Sequence, residues 1–297
     1  MVPRTILTLV VGVLGALPAR APSGEAPATT LSVMTYNIRF DNPADSVHAW
    51  PNRRAEVLAF LRSQSPDILC VQEALAPQIR DLQDGLALYA HRGVGRDDGL
   101  AKGEYCAIFY NEQRFDCLGD STIWLSPTPA AVSRGWDAAL PRIVTWVRLI
   151  DKSSGAEFCV FNTHFDHAGP DARANSASLV RALVASAGAR AILAGDFNCT
   201  EIEPPYAILT AARETDAPLR DARTITKNGP FGPLGTFCGF APAGEIQGPR
   251  IDYIFVTEGI AVNRYETFLA ARREGFLSDH LPVIATLTLP KSDETVN

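Results

Sequence analysis

Short apolar runs in this chain repeatedly end in a residue able to hold a cation, a phosphate oxygen or a proton. Val33-Met-Thr-Tyr-Asn37, Ile68-Leu-Cys-Val-Gln-Glu73 and Val160-Phe-Asn-Thr-His164 end in Asn37, Glu73 and His164. Ile192-Leu-Ala-Gly-Asp-Phe-Asn198 offers Asp196 and Asn198, which share one side of an extended segment. Arg250-Ile-Asp252 and Ser278-Asp279-His280 add another carboxylate and an Asp-His pair. Taken singly, each has an ordinary reading as a solvated strand end, a turn or a structural histidine. Together they suit a demanding reaction. Glu73 is a hard oxygen donor fit for Mg2+ or Mn2+, ions that bind through one or two carboxylates and keep several waters, and Asn37 adds a neutral oxygen nearby. Phosphoester hydrolysis needs neutralised phosphate oxygens, an aimed water and a stabilised leaving oxygen. These residue types can supply all three.

Side chains at strand ends must be aimed by the strands. The pattern predicts strands at 31–37, 67–72, 86–91, 104–110, 119–125, 143–150, 156–163, 190–195, 250–256, 261–268 and 281–288. The pair 143–150 and 156–163 flanks a hairpin-like connection, Asp151-Lys-Ser-Ser-Gly155. Helical spacing is confined to 171–187, through Ala177, Val180, Val184 and Ala187, and to the stretch after Pro51, through Val57 and Leu61. So many strands with so few helices predict an α+β fold of two packed sheets covered outside by helices. The segments 126–141 and 213–249 read as surface loops over the site, leaving one catalytic domain over 29–290 and a short tail, 291–297.

The start is different. Met1 to Leu17 join a basic residue, Arg4, to an apolar run shorter than the roughly 20 residues that span a membrane. Residues 1–28 therefore read as a signal peptide and leader, and the expectation is an exported protein without a stable membrane span. Removing them takes away Arg4, Arg20 and Glu25, which moves the net charge from -6 to -7. No Lys/Arg run offers the counterion release that drives nucleic-acid binding. A small phosphorylated molecule or a lipid headgroup is favoured over nucleic acid, and a monomer is expected. Of the six cysteines, Cys70, Cys106 and Cys159 lie in apolar runs and read as buried free thiols.

The order Thr35-Tyr-Asn37, Gln72-Glu73, Asn162-Thr-His164, Gly195-Asp-Phe-Asn198, Ile251-Asp-Tyr253 and Ser278-Asp-His280 closely resembles the endonuclease/exonuclease/phosphatase superfamily, the group that contains deoxyribonuclease I. Asn37-Ile-Arg-Phe, Ala49-Trp-Pro-Asn-Arg-Arg54 and Trp124-Leu-Ser-Pro resemble a secreted bacterial branch of it. The resemblance implies a four-layer α/β/β/α sandwich of mainly antiparallel sheets and a metal-dependent hydrolase of phosphodiesters or phosphomonoesters, with a nuclease as the alternative and a non-catalytic binding module as a third reading. It gives Asp196 to the attacking water, Asn198 to a phosphate oxygen and His280, backed by Asp252, to the phosphate. His164 falls to the phosphate or the leaving oxygen, and Asp279 to the metal beside Glu73 and Asn37. Mg2+ is the implied cofactor, with Mn2+ as a substitute. Glu104 stands where deoxyribonuclease-like sequences carry a carboxylate behind that histidine, so a Glu104–His164 pair is expected. Arg142 and Arg173 are candidate phosphate contacts, since guanidinium binds such oxygens bidentately. Trp50, Trp124, Trp136, Phe237 and Phe240 are candidate cleft aromatics.

Overall fold

Alternate side chains of the central strands enter two different cores, and this sets the order of the layers. In the computed structural model, which describes residues 28–187, 190–212, 218–241 and 248–290, strand β1 (Thr30–Asn37) sends Leu31 and Val33 to one side and Met34 and Tyr36 to the other. Both sides are buried. A strand covered on both faces reads as a continuous apolar run, which is why these strands were legible in the sequence.

The chain continues through α1 (Trp50–Gln64), β2 (Ile68–Ala74), α2 (Ala76–Gly85), β3 (Tyr89–Arg92), β4 (Tyr105–Asn111), β5 (Phe115–Trp124), β6 (Ile143–Asp151) and β7 (Glu157–His164). Then follow α3 (Pro170–Ser186), β8 (Ala191–Asp196), α4 (Pro204–Thr210), β9 (Arg220–Asp221), α5 (Ala222–Ile225), β10 (Pro230–Phe231), β11 (Asp252–Val256), β12 (Ala261–Thr267), the small pair β13 (Ala271–Arg272) and β14 (Gly275–Phe276), and β15 (Val283–Thr288). One sheet has the order β10-β12-β15-β1-β2-β4-β3 and the other β5-β6-β7-β8-β11-β9. Between them, Val33, Ile68, Val147, Val160, Ile192 and Ile254 form the central core. Val57, Leu61, Ile79 and Leu82 of α1 and α2 cover the outer face of the first sheet, while Val180, Val184 and Leu209 of α3 and α4 cover that of the second. This is the α/β/β/α sandwich that the resemblance implied.

Each predicted strand and both predicted helices have counterparts. β5 starts earlier than expected because a register shift between Cys117 and Gly119 interrupts its alternation. The 213–249 segment is less bare than predicted, since its described part holds β9, α5 and β10. The leader, apart from Ala28, and the tail at 291–297 lie outside the described residues. All six cysteines are free, five of them buried. No helix among the described residues is long and apolar enough to cross a membrane.

Candidate active site

Both sheets are mainly antiparallel, but each has a parallel pair near its centre: β1 with β2, and β7 with β8. Parallel neighbours end at the same edge, so Asn37, Glu73, His164 and Asp196 arrive together. Asp196 pairs with His164 on one side and with Asp252, the first residue of antiparallel β11, on the other. A polar bridge fixes the two sheets just beneath. Gln72 donates to Asn162 Oδ1 at 2.6 Å and Thr35 Oγ1 at 3.0 Å, and Asn162 Nδ2 donates to the carbonyls of Val71 and Ala107 at 2.9 Å each.

Gly195 permits the close pairing of β7 with β8. Its φ is +150°, and a Cβ there would stand 2.1 Å from the Thr163 carbonyl oxygen. Gly195→Ala is expected to destabilise the fold by about 2–3 kcal/mol, visible as an earlier urea midpoint, whereas a loss under about 0.5 kcal/mol would show that the strands separate freely at this point.

Glu73 reaches the site through a bulge. β2 and β4 stay in register to Val71–Ala107 and resume at Ala74–Tyr105, so Gln72 and Glu73 together face one residue, and Glu73 takes a left-handed φ of +65°. Strict alternation would send Glu73 to the face opposite Gln72, toward the helices; the extra residue turns it into the cleft. There its carboxylate accepts from Asn37 Nδ2 at 3.0 Å and from the Phe40 backbone at 3.2 Å.

Asn37 ties the centre together. Its amide nitrogen also donates to Asp196 Oδ2 at 3.0 Å, while its oxygen accepts from the Arg39 backbone at 3.0 Å. Sequence reasoning gave Asn37 a neutral oxygen for a metal; here that oxygen is engaged by the backbone, and the residue joins two carboxylates as a donor. His280 Nδ1 lies 2.9 Å from Asp252 Oδ2, as expected, and its Nε2 lies 3.6 Å from Asp196. Burial opposes charge on the His280 ring, yet Asp252, Asp196 and Asp279 outweigh it and hold the ring's pKa well above the usual value. Asp196 answers in kind. Burial pushes its carboxyl up to about 7, with Asp252 reinforcing and His280 opposing. The result is an imidazolium beside a carboxylate of near-neutral pKa.

On the other side the expected pairing changes partner. Arg96 grips both oxygens of Glu104 at 2.7 and 2.8 Å, which leaves His164 Nδ1 at 3.8 Å from Glu104 with no hydrogen bond. The Glu104–His164 pair is therefore an electrostatic neighbour contact, because a bidentate guanidinium outcompetes one ring N–H. Burial raises Glu104 to about 7, Arg96 opposing. Burial, then Arg142, Arg96 and His280, hold His164 well below its usual pKa, so this ring is neutral. Asn198, itself left-handed at φ +47°, donates to the Phe165 carbonyl and to His164 Nε2, both at 3.0 Å. A carbonyl only accepts, so that atom is the nitrogen and both its hydrogens are engaged. Asn198 orients His164 here, where the resemblance gave it a phosphate oxygen.

Arg142 and Arg173 separate. Arg142 is buried, donates from Nε to Asp166 at 3.1 Å, and lines the cleft with Nη1 left without a partner. It remains a candidate phosphate contact. Arg173 does not line the cleft: it donates to the Asp166 carbonyl at 3.1 Å and faces Glu203 at 3.5 Å, tying two loops together. Phe237 lines the cleft, and the other predicted aromatics do not. Trp50 and Trp124 are core residues whose indole N–H groups meet Asp81 and the Arg96 carbonyl, and Phe240 stacks on His48. Sequence reasoning missed Arg39, Arg96, His167 and Glu203. For Arg39 a signal existed, an arginine two places past Asn37.

Glu73 and Asp279 fit a divalent cation. Arg39 Nη1 lies 4.0 Å from Glu73 and 3.8 Å from Asp279, so the fold already places positive charge between them. Burial raises the Asp279 pKa, with Glu73 adding to the rise against His280. Two hard carboxylates crowded together are what such an ion neutralises. Asp196, Asp252 and His280 also bring ligand atoms within 4.8 Å of one another. In that trio the His280 Nδ1 is already taken by the Asp252 carboxylate.

These groups line a cleft of about 610 Å³. The sequence model of the endonuclease/exonuclease/phosphatase family matches residues 34–280, from within β1 through His280. The chain belongs to this family. It is accordingly a hydrolase of phosphoester bonds, in a family that depends on divalent metal. An endonuclease/exonuclease/phosphatase from Bacteroides vulgatus is 38% identical with a TM-score of 0.83, covering 88% of this chain and 99% of its own. A mannosyl-6-phosphatase from Bacteroides thetaiotaomicron is 36% identical with a TM-score of 0.80, covering 86% and 99%. Nocturnin from Drosophila melanogaster is 26% identical over 196 residues, covering 59% of this chain, which spans only 28% of nocturnin.

Proposed function

We propose that this protein is an exported, Mg2+-dependent phosphomonoesterase acting on a small phosphorylated sugar. The observation that carries this reading is the lining of the cleft: among the described residues Arg39 and Arg142 are its only arginines, and they stand among Glu73, Glu104, Asp196, Glu203 and Asp279. Such a site receives one phosphate on a small body and resists a polyanion. Its volume is that of a small-molecule site. The mannosyl-6-phosphatase likeness over nearly all of that chain supports the same substrate class, and the basic start and apolar run of Met1 to Leu17 support export.

The residues divide the work. Arg142 and the His280 imidazolium meet the phosphate oxygens, and Asp196 takes a proton from the attacking water. The water oxygen bonds to phosphorus as the bond from phosphorus to the sugar oxygen breaks, and the departing oxygen takes a proton from solvent. Glu73 and Asp279 would hold the cation, which would supply positive charge against the phosphate. Asn198 and the Asp252 carboxylate keep the two imidazoles in place.

Initial rates with Mg2+ on mannose 6-phosphate, bis(p-nitrophenyl) phosphate and single-stranded RNA test the reading. Monoester kcat/KM is expected to exceed that of either diester by about tenfold or more. Faster cleavage of RNA or of the chromogenic diester would favour a nuclease-like phosphodiesterase instead.

A further inference from the structure

The cleft has a second end to which the reaction above assigns nothing. Because β7 and β8 are parallel neighbours, the loops that follow them, 165–169 and 197–203, run side by side at its edge. They bring His167, Thr200 and Glu203 into the lining.

This edge is built rather than incidental. Arg142 Nη2 lies 2.9 Å from His167 Nδ1 while Asp166 holds its Nε. A guanidinium has no lone pair, so Nδ1 is the acceptor and the ring proton sits on Nε2, an outward donor. Across from it, Glu203 Oε2 accepts from the Thr200 backbone at 2.7 Å and the Thr200 hydroxyl at 3.0 Å. Thr200 Oγ thus gives its proton away and keeps its lone pairs. Arg173 joins the two loops, donating to the Asp166 carbonyl at 3.1 Å and facing Glu203 at 3.5 Å. An N–H donor, a carboxylate and an accepting hydroxyl complement a run of alcohol groups, each of which gives and takes a hydrogen bond. Glu203 disfavours a second phosphate at this end.

We propose that the 165–169 and 197–203 loops form a leaving-group subsite that reads the hydroxyls of a sugar or polyol, with His167 and Glu203 as its specificity residues. The assignment rests on the phosphomonoesterase reading. Steady-state kinetics with Mg2+ on mannose 6-phosphate and on p-nitrophenyl phosphate, whose leaving group has no aliphatic hydroxyl, test it in His167→Gln and Glu203→Gln, with circular dichroism to confirm folding. Selectivity for mannose 6-phosphate over p-nitrophenyl phosphate is expected to fall about tenfold in each variant, through KM rather than kcat. Selectivity that stays constant in both folded variants, whether the two rates hold or fall together, overturns the subsite while leaving the phosphomonoesterase reading intact. A wild-type protein that hydrolyses neither compound overturns both.

Discussion

Asp196→Asn is expected to lower kcat by about 10²–10⁴-fold, the range lost with a general base, while leaving the protein folded. The reason is geometric and electrostatic together. Asp196 stands between His164 at 3.5 Å and His280 at 3.6 Å, with Asn37 and the Asn198 backbone fixing its oxygens. Its carboxyl, raised to about 7 chiefly by burial, must be ionised to accept a proton, so wild-type activity falls as pH drops below about 7. The same shift appears in stability. Between the ordinary carboxylate value of 3.8 and about 7 the folded state binds the proton that the unfolded state has released. Its stabilising contribution is therefore complete below the lower value and lost as pH rises through the upper one. Metal-free wild type should lose thermal stability across that window, and Asp196→Asn should lose less, with Glu104 supplying a residual slope of the same sign. Equal slopes in wild type and variant would remove Asp196 from the titration.

Chelation is expected to suppress turnover by about 10³-fold or more, restored by Mg2+, because the phosphate charge is otherwise met by Arg142 and His280. Glu73→Gln should raise the Mg2+ concentration for half-maximal rate by about tenfold or more. Thermal unfolding gives a readout independent of activity. Mg2+ should raise the melting temperature of wild type by preferential binding to the folded state, and raise that of Glu73→Gln far less. Without metal the order should reverse, since the substitution relieves the repulsion that Glu73 exerts on buried Asp279. Activity that survives exhaustive chelation would remove the cation from the account.

The central strands were legible because burial on both faces writes them as apolar runs, and the landmark residues because parallel pairs make strand ends coincide. α2 and α4 were missed: α2 offers only Ile79 and Leu82 as buried apolar residues over ten positions, and α4 is a seven-residue helix. What failed to show in the sequence was the choice of partner. Arg96 comes from a loop eight residues before Glu104 and takes the carboxylate expected for His164. Arg142 meets His167 from the start of a different strand. Nor does any local pattern mark the bulge that turns Glu73 inward, because its left-handed residue is a glutamate where a glycine would have been the signal. The Asp252–His280 pair was legible through the family resemblance, since a histidine that contacts a phosphate needs a partner on its other ring nitrogen.

Hydrolysis of mannose 6-phosphate in ¹⁸O-labelled water, with the products read by mass spectrometry, tests the central claim most directly. Attack at phosphorus by a water that Asp196 deprotonates places one ¹⁸O in the released phosphate and none on C6 of the sugar. Label on C6, or phosphate released without label, would contradict it.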